Sequence, residues 1–300
     1  MERELWSWIV GALKRFPRTR PRNAVYTDQQ IVAVYLWAAL HDRPVNWACE
    51  RKHWPIQAWR RKLPSQSAMS RRVRHADVQD LLLMVLIALQ HTWPGCEGED
   101  EGEVLVADGK PLELSEYTRD PDARTGRGAG RYAKGYKLHL VLNAHSRKVV
   151  GFQTHPLNVA ETTTAARILR RRRTPIVPGS LLLGDRLFDS NPLHKAAAQR
   201  GCQLIAPRKR PGTALGSGRH HPNRVESLRL TEGPERAVWD EVLAPLRTAI
   251  ERFFGTLTAS SGGLPGLPPW IRRLHRVRLW VAAKLVINAA RIAATRAVAA

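Results

Sequence analysis

Cysteine is scarce in this chain of 300 residues: Cys49, Cys96 and Cys202 are too few and too scattered for a zinc site or a disulfide framework. Acidic side chains are also few, 26 Asp and Glu against 48 Lys and Arg, which leaves a formal net charge of +22 and a pI of about 11.1. Such an excess calls for a polyanionic partner, because each phosphate neutralised by Lys or Arg releases a condensed counterion; nucleic acid is the expected one. Long apolar runs are missing. The longest, residues 81–89, falls far short of the ~20 residues that span a bilayer, so no transmembrane helix and no membrane partner are expected. The opening Met1-Glu2-Arg3-Glu4-Leu5 lacks the basic and apolar regions of a secretory signal, which gives a cytoplasmic, nucleoid-associated protein as the expectation. What the chain does have is 43% hydrophobic residues and ten Trp, enough for a packed core and incompatible with a disordered basic tail as the whole protein.

One composition shift divides the sequence. Residues 94–103 form an acidic, Gly-containing stretch in an otherwise basic chain and read as a linker. It separates a helical N-terminal DNA-binding module, residues 1–97, from a second domain, residues 98–300. Both parts are basic: 15 Lys and Arg against 8 Asp and Glu before the boundary, 33 against 18 after it. In the first part Thr27 can cap a helix through Ile31, Val34, Tyr35 and Ala38, and Leu81, Leu82, Val85, Leu86 and Leu89 recur at helical spacing in a run from Asp77 to Trp93. Between them a Ser caps a short helix bearing Arg71, Arg72 and Arg74, which resembles a recognition helix as much as a basic surface helix.

After the linker the pattern turns to strands. An apolar run, Val104 to Ala107, stops at Asp108-Gly109-Lys110. Alternation through Tyr136, Leu138, Leu140 and Leu142, a turn at residues 145–147 and a strand from Lys148 to Thr154 make a hairpin. A helix from about Glu161 to Arg173, a strand at residues 181–183 ending in Gly184-Asp185, a helix from Pro192 to Arg200, a strand from Cys202 to Ala206 and further helices follow. This order fits an α/β fold, a mixed sheet covered by helices.

Asp108 and Asp185 both stand where buried-type strands end, the position from which open α/β sheets present ligand residues. A third acid, Glu251, lies on a helix whose Leu246, Ile250, Phe253, Phe254 and Leu257 form the packed stripe, with Arg247 and Glu251 sharing the adjacent face at i, i+4. Three carboxylates without a Cys or His partner suit oxygen-seeking Mg²⁺ or Mn²⁺.

Four stretches carry a resemblance: residues 106–112 around Asp108, Lys134-Gly135-Tyr136-Lys137-Leu138-His139, residues 183–190 around Asp185, and residues 247–254 around Glu251. In this order they resemble the DDE transposases of bacterial insertion sequences, with a ribonuclease H-like catalytic domain over roughly residues 100–295. The resemblance implies catalytic and metal-ligating roles for Asp108, Asp185 and Glu251, a pair of Mg²⁺ or Mn²⁺ ions, strand cleavage at element ends and strand transfer into target DNA, and a dimer or higher oligomer on DNA. Where the family often has a Tyr before its Arg and a Lys after its Glu, this chain has Ala244 and Thr258, so phosphate holding is expected of Arg247, Arg252 or another basic residue. Lys110 and Arg186, beside the two aspartates, and Arg208, Lys209 and Arg210 in a Pro- and Gly-containing loop complete the expected DNA contacts. A relative that grips DNA without cutting it and a ribonuclease H-like nuclease are the alternative readings.

Other features have plainer roles as their first expectation. Asp189 precedes Ser190-Asn191-Pro192 and suits helix capping; His139 suits a hydrogen-bonded strand position; Arg170 to Arg173 suit the carboxyl end of a helix dipole. The C-terminal helix divides into an Ala-rich apolar stripe and an opposite face with Lys284, Asn288, Arg291 and Thr295, as expected of a helix packed on the domain. Tyr117, Tyr132 and Tyr136 lack the surroundings of a tyrosine recombinase nucleophile.

Overall fold

A computed structural model describes residues 2–55, 62–93, 103–212, 220–259 and 261–299. The acidic stretch therefore lies, but for Glu103, outside the described residues. The chain forms two compact units, one made of Met1–Glu97 with Thr256–Ala300 and the other of Gly98–Gly255. The helices are α1 (Glu2–Lys14), α2 (Asp28–Leu40), α3 (Val45–Ala48), α4 (Gln66–Arg72), α5 (Ala76–Gln90), α6 (Glu161–Arg170), α7 (Asn191–Ala198), α8 (Pro222–Glu232), α9 (Arg236–Val238), α10 (Ala244–Ala259) and α11 (Leu274–Ala299). The strands are β1 (Val104–Leu114), β2 (Arg124–Arg127), β3 (Tyr132–Asn143), β4 (Val149–Pro156), β5 (Leu181–Leu183) and β6 (Gln203–Ile205).

The first unit is helical, as its spacing predicts. Thr27 caps α2 through a complete capping box: its side chain accepts from the Gln30 amide, and the Gln30 side chain accepts from the Thr27 amide. Trp6, Trp37 and Trp54 pack edge-on and stacked within 4.7–5.7 Å between ring centres. The C-terminal α11 belongs here rather than on the sheet, which departs from the division at residue 98 alone: it packs on α1, α2 and α5. Because three helices surround it, α11 has no solvated face along its middle, and Lys284 and Asn288 are buried instead of exposed. Lys284 is accommodated because its ammonium donates to the Ala39 carbonyl at 2.7 Å and the Gly262 carbonyl at 3.1 Å and pairs with Asp42 at 2.5 Å.

The second unit is a six-stranded mixed sheet in the order β2-β3-β1-β5-β6, with β4 also pairing β3. The expected hairpin is β3–β4, paired antiparallel from Tyr136 opposite Pro156 to Leu142 opposite Val149. Strand β1 pairs antiparallel with β3 and parallel with β5, which in turn runs parallel to β6. The short β2, absent from the sequence reading, extends the edge of β3. Leu105, Ala107, Val141, Leu182 and Leu204 on the sheet pack against Ala165, Ala166, Ile168 and Leu169 of α6 and Leu193, Ala196 and Ala197 of α7. The alanines let both helices lie close to the strands, and burial of this apolar surface at about 25 cal/mol per Å² is what holds the layers together. Helix α9 continues through a π-helical turn, Trp239–Leu243, into α10.

Candidate active site

Strand register brings the segments that carry the two aspartates onto neighbouring strands. Val106 is opposite Leu183 in the parallel β1–β5 pair, so Asp108 and Asp185 each lie two residues beyond matched positions on strands about 4.8 Å apart. Strand β1 does not end at Asp108, as the sequence suggests, but runs on to Leu114; only its pairing with β5 stops, since β3 carries the antiparallel ladder onward from Asp108 opposite Leu140. Each carboxylate is oriented by a local backbone amide. Asp108 Oδ1 accepts from the Gly109 amide at 2.7 Å, and Asp185 Oδ1 accepts from the Leu187 amide at 2.8 Å as the cap of a 3₁₀ turn, Arg186–Phe188.

The Asp108 carboxyl is pushed up to about 6. Burial is the main cause, the Gly109 amide and Arg247 pull it back, and the negative charges of Glu161 and Asp185 push it further up. Glu161 and its partner Lys137 are site residues that the sequence reading missed. Their ion pair, 2.7 Å long and nearly buried, sits over Gly109. A Cβ on that glycine would come within 2.9 Å of both Glu161 Oε1 and Lys137 Cδ, so the residue after Asp108 must be small for the pair to close on the strand. A signal was available: Lys137 is two residues from His139, which faces Gly109 across the β1–β3 ladder, and strand alternation puts both on one face. His139 itself is buried and pushed down to about 3, first by burial and then by Lys137 and His155, so it stays neutral.

Glu251 stands on α10, about half exposed, with its carboxylate 3.0 Å from the Arg247 guanidinium. Arg247 thus acts on two of the three acids, pairing with Glu251 and favouring the charge on Asp108. Among the described residues no three His, Cys, Asp or Glu side chains stand close enough together to hold an ion. The register-matched pair nevertheless fits a hard divalent cation: it offers only oxygen donors, and the charge of Asp108 is disfavoured while no cation is beside it.

The other expected site residues divide into committed and exposed ones. Arg72 is turned inward, pairing with the buried Asp28 carboxylate and donating to the Tyr26 carbonyl at 2.9 Å, so it fastens α4 to the start of α2; Arg71 and Arg74 are exposed. Arg208 pairs with Glu232 at 2.5 Å, whereas Lys209 and Arg210 are exposed, as are Arg186 and Arg252. Lys110 is partly buried, which lowers its affinity for a proton. Asp189 does not cap α7. Its buried carboxylate takes the Arg224 guanidinium at 2.6 and 2.8 Å and the Lys209 amide at 3.1 Å, contacts that outweigh burial and hold it well below the usual carboxylate range. Tyr136 is buried and donates to Asp120 at 2.7 Å; Tyr117 and Tyr132 are exposed.

The profile of the Transposase DDE domain family matches residues 99–264, more than half of the chain and a span that contains Asp108, Asp185 and Glu251. The chain belongs to this family. The mixed sheet with flanking helices suits such a transposase DDE domain, whose members generally use a divalent metal. A search of the curated proteins gives no match. Among the described residues no helix is long and apolar enough to cross a membrane.

Proposed function

We propose that this protein is a DNA transposase that binds the ends of an insertion element, cuts there and joins the freed end to target DNA, with Asp108, Asp185 and Glu251 as its catalytic, metal-holding acids. The observation that carries the reading is the register-matched pair, with a carboxyl at Asp108 raised to about 6 by burial and by acidic neighbours. A site built this way favours a cation over a proton near neutral pH. When bound, a pair of Mg²⁺ or Mn²⁺ ions supplies activation of the attacking oxygen and stabilisation of the leaving oxygen.

The chain's own residues do the rest. The Gly109 and Leu187 amides orient each aspartate through its Oδ1, so that these two carboxylates would hold the metal pair. Glu251 joins them by releasing Arg247, whose guanidinium is then available to a substrate phosphate. Lys110, Arg186 and Arg252 hold the DNA backbone beside the acids, and Lys209 and Arg210 hold it further out. Arg71 and Arg74 of the helical unit contact element ends, and the active form on DNA is a dimer or higher oligomer.

Calorimetric titration of the whole chain with Mn²⁺ tests the metal claim. The expected result is binding to wild type that weakens at least tenfold in both Asp108→Asn and Asp185→Asn. A wild type that takes up no Mn²⁺, or variants that bind it as wild type does, would overturn the assignment.

A further inference from the structure

Along the outer face of α7 runs an open groove of about 670 Å³. Its floor is Asn191, Lys195 and Gln199, spaced by four on one face of the helix, and its walls are Arg170 at the end of α6 and His220 and His221 at the start of α8. Among the described residues no acidic side chain lines it. We infer that this groove is a track for the sugar–phosphate backbone of DNA flanking the catalytic edge, an inference that rests on the transposase reading above.

Arg170 and Lys195 are exposed and carry no ion pair among the described residues. Capping of α6 does not account for Arg170, because Arg200 performs that task, donating to the carbonyls of Leu169 and Arg171 at 3.0 Å and of Thr174 at 2.9 Å. The imidazoles are held in a donor form. Arg224 donates to Nδ1 of His220 at 2.8 Å and the Asn223 amide donates to Nδ1 of His221 at 3.2 Å, so each neutral ring carries its proton on Nε2. Asn191 Oδ1 faces the His221 amide at 3.4 Å, which leaves the Asn191 side-chain NH₂ as a further donor.

This wall is built rather than draped. The buried Asp189 carboxylate fixes Arg224, which fixes His220, and the same carboxylate pins the Lys209 amide. The groove thus offers cations and neutral donors on a rigid frame, which matches phosphodiester oxygens. From Asn191 to Gln199 the helix rises about 12 Å, the axial span of about three phosphates of one B-form strand. The track also begins close to the chemistry in sequence, since Asn191 follows Asp185 by six residues through the 3₁₀ turn.

The test measures duplex binding by the full chain, with a fluorescein-labelled duplex and anisotropy read across a salt series. Replacing Arg170 and Lys195 together by Gln is expected to weaken binding at low salt and to reduce the slope of log affinity against log salt by about 2, roughly 0.9 for each lost phosphate contact. Lys195→Arg should restore the contribution of that position. Arg229→Gln should keep the wild-type slope, since Arg229 is already held by Glu226 and Glu235. Circular dichroism of each variant confirms the fold. If the double variant keeps the wild-type slope, or if Arg229→Gln lowers it as much, the groove is not a DNA track while the transposase reading stands. If wild type shows no salt-dependent duplex binding, both readings fall.

Discussion

Replacing Asp108 by Asn should make the protein more stable at neutral pH, and the gain can be worked from the site. The carboxyl rises from 3.8 to about 6 on folding, mainly through burial. At about 1.36 kcal/mol for each tenfold change in proton affinity, the folded state loses about 3 kcal/mol by keeping Asp108 charged above pH 6. The sign follows from linkage: a raised carboxyl binds its proton more tightly in the folded state, so its penalty is absent below pH 3.8, grows between pH 3.8 and 6, and is constant above. Asparagine has the same shape and can still accept from the Gly109 amide, but carries no charge. Urea unfolding of wild type and Asp108→Asn in metal-free buffer should therefore agree near pH 4 and diverge to about 3 kcal/mol in favour of the variant at pH 7. A variant that is less stable at pH 7, or a difference that does not change between pH 4 and pH 7, would refute the reasoning. Such a residue gives up stability for a charge that a cation would offset.

Two further substitutions check other contacts. Arg72→Ala should cost about 3–5 kcal/mol in urea unfolding because it strands the buried Asp28 carboxylate, whereas Arg71→Ala should stay within about 0.5 kcal/mol. Gly109→Ala should cost about 1–3 kcal/mol, since its methyl group displaces the Glu161–Lys137 pair, and the loss should shrink when Glu161→Ala is added in a double-mutant cycle.

Much of the sheet unit was legible because its signals are local. Strand alternation through Leu138, Leu140 and Leu142 defines β3, and the short apolar runs before Asp108 and Asp185 define β1 and β5. Parallel pairing of β1 with β5 then puts Asp108 and Asp185 each two residues beyond a matched pair, the strand-end placement that the spacing suggests. What failed depended on contacts distant in sequence. Lys284 fell on the face opposite the apolar stripe because periodicity records a helix's own stripe and not the number of helices around it; three neighbours bury the middle of α11 all round. Arg72 looked like a DNA contact because composition cannot distinguish a free cation from one claimed by Asp28, 44 residues away. Asp189 looked like a cap because of the Ser-Asn-Pro that follows, yet Arg224, 35 residues later, takes its carboxylate. Glu161 escaped notice because nothing in its own segment shows that α6 starts beside Asp108. The i, i+4 pair of Glu251 with Arg247 read from sequence is formed, and its carboxylate is half exposed.

The most direct measurement is strand cleavage by the purified chain on DNA carrying the inverted repeats that bound its own gene, with Mg²⁺ or Mn²⁺, set against Asp185→Asn. Wild type should nick the repeat ends and join the freed 3′ ends to a second duplex only when the metal is present, and Asp185→Asn should lose cleavage and joining together while still binding the repeats. A wild type that binds the repeats and leaves them intact with either metal, or an Asp185→Asn variant that cuts as fast as wild type, would contradict the account.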